Sequence, residues 1–165
     1  MAMTLVSTVT VGSGGAASIE FTGIPATGKD LLVLISTRST STNRVMNFRL
    51  NNDTGSNYDT MRLIGQGSSA SSSSFNATSF VWFSSDSTDT TSTFDNVQMY
   101  LSNYTSSAAK SISLDSVSEN NNTTAHQQLQ AIKYSGTSAI TSIQVYAGSS
   151  NALAQHSTAS LYIIS

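Results

Sequence analysis

Apolar and polar residues alternate along this chain in short runs, each the length of a β-strand, separated by clusters of Ser, Thr, Asn and Gly. The opening stretch TLVSTVTVGSGGAASIEFTGIPATGKDLLVLIS sets the pattern. Leu5, Val9 and Val11 fall on one side and Thr4, Thr8 and Thr10 on the other, with Val6 out of step. Gly12-Ser13-Gly14-Gly15 can supply the positive φ of a tight reversal, which predicts an antiparallel hairpin returning over residues 16–21 with Ile19 and Phe21 inward. Leu31 to Ile35 are apolar without alternation, the mark of a central strand covered on both faces, with that hairpin beside it.

Further along, residues 45–50 and 58–64 read as strands joined by the turn-rich 51–55, a second hairpin. Residues 65–74, GQGSSASSSS, read as a flexible loop. Phe80-Val81-Trp82-Phe83 reads as a short strand, and residues 86–93 as a polar loop. Val97, Met99 and Leu101 alternate with polar residues in one strand and Ile112 and Leu114 in another, the two bracketing the loop 102–109. Residues 119–124 form a polar turn, after which Gln128, Gln130 and Ile132 oppose Leu129 and Ala131 in a strand less clearly one-sided. Ile140, Ile143 and Val145 lead through the polar residues 148–151 to an apolar last strand ending Leu161-Tyr162-Ile163-Ile164. Left unpaired it would be adhesive, so it belongs inside a sheet beside the first strand. The expected fold is all-β: a single domain over residues 1–165, an antiparallel β-sandwich of jelly-roll type with about ten strands and a short N-terminal arm.

Composition sharpens this picture. Charged residues make up 10% of the chain, against roughly 25% in ordinary soluble domains, so hydroxyls and amides cover the surface. A net charge of -2 offers no basic patch for nucleic acid and no cationic face for a membrane, and neither partner is expected. Without cysteine there are no disulfides and no thiolate metal sites. No charged segment with a following apolar stretch opens the chain, so no standard secretion signal is expected, and the glycosylation-type triplets at Asn52, Asn76, Asn103, Asn121 and Asn122 are expected to stay unmodified.

Candidate chemistry is thin. Asp53-Thr54-Gly55-Ser56 has the local pattern of an aspartic protease, but it follows Asn51-Asn52 rather than an apolar strand and reads as a turn. Gly65-Gln66-Gly67-Ser68-Ser69-Ala70 matches a dinucleotide fingerprint without the helix that chemistry requires. His126 and His156 lack neighbours at metal-ligand spacing and read as surface histidines. Phe80, Trp82 and Phe83 have the size to fill a sandwich core, which outweighs a sugar-stacking platform. No catalytic residue, metal, cofactor or small-molecule substrate is expected, and the chain does not read as an enzyme.

The segments already quoted from residues 4–36, together with SNYDTMRLIGQGSS, SNYTSSAAKSISLDSVSEN and AITSIQVYAGSSNALAQHSTASLYII, resemble a group of small structural proteins of tailed bacteriophages, often assigned as capsid decoration or cement proteins. The resemblance implies a jelly-roll-like fold, a homotrimer on the outer capsid surface of the virion, synthesis in the bacterial cytoplasm, and a clamp on neighbouring major capsid protein subunits. It implies no active site. The short uncharged arm, Met1, Ala2, Met3 and Thr4, is the candidate capsid contact, with Ser-rich tips facing solvent. A tail-fibre or receptor-binding module gripping host glycans through Trp82, Tyr58 or Tyr104 is the alternative.

Overall fold

The computed structural model describes residues 2–118, 125–148 and 151–165. They form twelve strands: β1 (Met3–Thr10), β2 (Ser18–Thr22), β3 (Asp30–Ser36), β4 (Val45–Leu50), β5 (Tyr58–Gln66), β6 (Ser69–Ala77), β7 (Phe80–Phe83), β8 (Asn96–Leu101), β9 (Lys110–Ser118), β10 (His126–Tyr134), β11 (Ser142–Ala147) and β12 (Thr158–Ile164). An eight-stranded sheet of order β1-β12-β3-β8-β9-β10-β5-β6 packs on a four-stranded sheet of order β2-β11-β4-β7, with antiparallel neighbours throughout. The fold is an antiparallel β-sandwich, with two strands more than expected.

The pairs β3–β12, β4–β11 and β5–β10 nest one inside the next and alternate between the sheets. The β8–β9 hairpin is inserted between β3 and β10, which widens one sheet to twice the strands of the other. Leu31, Val33, Ile35, Leu161, Met99 and Leu101 of the large sheet meet Phe48, Met46, Phe80, Trp82 and Val145 of the small one, all of them buried. Phe80 stacks on Phe48 at 4.7 Å between centroids.

Three local expectations are corrected. The opening hairpin does not form: β1 pairs with β12 and β2 with β11, so the glycine turn carries the chain from one sheet to the other. Its closeness to Leu153, whose carbonyl lies 2.7 Å from where a Cβ on Gly15 would stand, is what requires glycine there at φ +77°. The second hairpin also splits, β4 into the small sheet and β5 into the large one. Residues 65–74 are not a loop: β5 and β6 make a continuous antiparallel ladder from Tyr58 opposite Ala77 to Gln66 opposite Ser69, turning on Gly67, φ +55°, and Ser68.

The last strand lies where its apolar character places it, between β1 and β3. The N-terminal residues are not a free arm. Met3 and Thr4 pair with Ile164 and Ile163, and Ala2 exchanges backbone hydrogen bonds of 3.0 Å with Ser165, while Met1 lies outside the described residues. A register shift between Leu5 and Ser7, at the Val6 that broke the alternation, turns Leu5 outward while Val11 stays buried. The polar turn expected at 119–124 and residues 149 and 150 also lie outside the described residues.

Candidate interaction face

Strand parity sorts every side chain of the large sheet onto an inner or an outer face. Buried Thr60, Ile112, Leu114 and Ile132 fix the inner parity of β5, β9 and β10, so Met61, Leu63, Val117 and Leu129 point outward. Leu34 points outward from β3, and Met3 and Leu5 do so from β1. These are the exposed large hydrophobic side chains among the described residues, and all stand on the outer face of the eight-stranded sheet.

Their densest part is a patch on β9, β10 and β5. Leu63 lies opposite Leu129, which lies opposite Asp115, and in the next row Met61 lies opposite Ala131, which lies opposite Ser113. Met61 is 63% exposed and Leu129 50%, unusual for side chains of this kind in adjoining rows. Three open hollows, of about 610, 480 and 410 Å³, adjoin along this face, and Met61, Leu63, Leu129 and Ala131 recur in their linings. The serines of β6 leave the β5 side chains uncovered, Ser72 opposite Leu63 and Ser74 opposite Met61. The charges here are Asp115, beside Leu129, and Lys133, which pairs with Asp59 at 3.1 Å, Asn76 donating to the same carboxylate at 2.7 Å.

The expected candidates behave differently. Trp82, Tyr58 and Tyr104 are fully buried, so the aromatics proposed for glycan stacking form no surface platform. Tyr58 donates from its hydroxyl to the Leu50 carbonyl at 3.3 Å, and burial pushes its pKa up to about 12. Asp53 accepts from Gly55 N–H and Asn57 Nδ2 at 2.8 Å each and from the Tyr134 hydroxyl at 2.9 Å, the bonding of a turn residue. The Gly65–Ala70 match falls on the β5–β6 turn, with no helix after it. His156 sits exposed in a turn at φ +73°. His126 is a correction: it is buried, with Phe83 edge-on at 5.5 Å and Arg44 3.5 Å from its Nδ1, and burial first, then the Arg44 charge, lower its pKa.

Inside the sandwich, near the ends of β7 and β8, is a polar layer that gave no sequence signal. Asp95 is buried and accepts from the Thr37 N–H, from the Thr37 hydroxyl at 2.8 Å and from Trp82 Nε1 at 2.8 Å. Burial outweighs these donors and pushes its pKa up to about 6. Beside this layer Arg44 bridges Asp86 at 3.1 Å and Asp89 at 3.4 Å. Gln130 donates to the Val81 carbonyl at 2.8 Å, tying β10 to β7 across the interior. The donors and acceptors of this layer join one sheet to the other. Among the described residues no three His, Asp or Glu side chains gather as a metal site.

No family model matches the chain, and no curated protein matches it. The outer face is therefore the feature on which a functional reading rests. The outward placement of Leu129 is ambiguous in the sequence, because Gln128 and Gln130 share a side with Ile132 and oppose Leu129 and Ala131, so polarity alone does not pick the inner face. The parity of Ile132 and Tyr134, two and four residues further on, was the available signal.

Proposed function

We propose that the protein is a structural component of a bacteriophage virion, a capsid decoration protein that binds the outer surface of the head and stabilises contacts between major capsid protein subunits. The observation that carries this reading is the segregation of the exposed large hydrophobics, Met61, Leu63 and Leu129 foremost, onto one broad sheet face with little charge. A rigid sandwich with such a face suits adhesion, since burying it against a partner gains about 25 cal/mol per Å² of apolar surface. Association of three copies, which the sequence resemblance implies, would multiply weak contacts by avidity. Met3 stands 57% exposed on the same face at its other edge, so the N-terminal residues first singled out for capsid contact would extend it.

The test is a triple variant, Met61→Ser, Leu63→Ser and Leu129→Ser, added to purified heads that lack the protein, with bound copies counted by quantitative gel or cryo-electron microscopy. Wild type is expected to coat the heads in hundreds of copies and the triple variant to lose at least about tenfold in occupancy. Unchanged occupancy with a folded variant, or no wild-type binding to heads, overturns the reading.

A further inference from the structure

Four strands end the two sheets: β1 and β6 in the large sheet, β2 and β7 in the small one. An open edge invites pairing with another chain, and proteins blunt such edges with bulges, charge, proline or brevity. β1 carries the register shift at Leu5/Ser7. β2 has five residues, with the charged Glu20 among them, and β7 has four. β6 has none of these defences. It runs nine residues as SASSSSFNA, uncharged, without proline and with unbroken register to β5. Ser69 to Ser74 are exposed, and no described residue hydrogen-bonds to the side of β6 turned away from β5.

We infer that β6 is a self-association edge, on which the β6 strands of two copies pair antiparallel across a two-fold axis and join their eight-stranded sheets into one. The occupant follows from the chemistry of the strand. A foreign peptide adding to an edge is selected by pockets for its alternate side chains, and the hollows that β6 helps to line open over β5 and β10 rather than along its free edge. An antiparallel strand is its own complement, so a second copy needs only the backbone ladder. Charge agrees: serine meets serine with no like charges opposed. The nearest charges are already engaged, Asp59 with Lys133, and Arg62 over the rings of Phe75 at 5.3 Å and Phe83 at 5.1 Å. The contact is small beside a standard interface, so it is weak in dilute solution and gains strength where copies are held side by side. In a three-fold assembly it would link one trimer to the next. The inference does not depend on the proposed capsid role and is tested without capsids.

The chain has no cysteine, so a single introduced one reports without background. Ser73, the midpoint of β6, lies on the axis of a centred pair. Ser71→Cys, Ser72→Cys, Ser73→Cys and Ser74→Cys are oxidised at high concentration beside Ser7→Cys on β1 as control. A disulfide dimer is expected from the β6 positions nearest the axis and not from β1, since Cα atoms must approach within about 7 Å. Independently, backbone amides of β6 are expected to exchange with deuterium at least about tenfold more slowly at about 1 mM protein than at about 10 µM. Ser71→Lys with Ser73→Lys is expected to abolish that protection while leaving the β-sheet circular dichroism unchanged. Absence of dimer at every β6 position, equal cross-linking from β1, or exchange independent of concentration would overturn the inference.

Discussion

Asp95 shows how a single side chain can set the pH response of a sandwich. Its carboxyl is pushed up to about 6 from an ordinary 3.8. Below 3.8 the folded and unfolded chains both hold this proton, and the group adds nothing to the pH dependence. Between 3.8 and about 6 the unfolded chain releases it first, so stability falls as pH rises, and above about 6 the loss is complete. The gap corresponds to about 3 kcal/mol at 1.36 kcal/mol per pH unit. His126 acts in the opposite sense, because its lowered folded pKa removes stability as pH falls below 6.5. Urea unfolding of wild type and Asp95→Asn from pH 4 to pH 8 separates the two: the difference between them is expected to shift against wild type by up to about 3 kcal/mol as pH rises, and a flat difference would refute the assignment. Trp82→Phe removes one donor from the same carboxylate, and a loss of about 1–3 kcal/mol is expected in the same assay at pH 7.

Among the elements, β12 and β10 differ in what a leucine does for them. Leu161 is fully buried between β1 and β3, so Leu161→Ala is expected to cost about 2–5 kcal/mol in thermal or urea unfolding. Leu129 stands on the outer face, and Leu129→Ser is expected to change stability by less than about 0.5 kcal/mol. The sequence alone ranks the two alike. What it discloses well is the existence and extent of strands: β3, β7, β8, β9 and the interior position of β12 all follow from apolar runs and turn residues. It fails where pairing is non-local. Gly12 to Gly15 can reverse a chain within a sheet or carry it across to another, and only the partners of β1 and β2, both near the far end of the chain, decide between them. The serines of β6 failed for another reason. Their propensity favours turns, but the ladder to β5 is anchored by Tyr58 opposite Ala77 and Thr60 opposite Phe75, and tertiary pairing overrides propensity. Asp95 could not be singled out either, because its partners come from β7 at Trp82 and from the residues just past β3 and β7, Thr37 and Ser84.

At the scale of the whole molecule, the two broad faces are unequal: one sheet covers the core, and the other covers the core and also carries the exposed leucines and methionines. An apolar fluorescent dye such as anilinonaphthalene sulfonate is expected to bind the folded protein, and the Met61→Ser, Leu63→Ser, Leu129→Ser variant to lose most of that signal with its unfolding transition intact. Dye binding unaffected by the substitutions would place the adhesive surface elsewhere. The scarcity of charge on this face has a practical sequel. Ion pairs fade as counterions accumulate, whereas expulsion of water from leucine and methionine side chains does not, and sulfate strengthens it. A grip made through Met61, Leu63 and Leu129 is thus expected to hold equally in fresh water and in brine, and to tighten in ammonium sulfate.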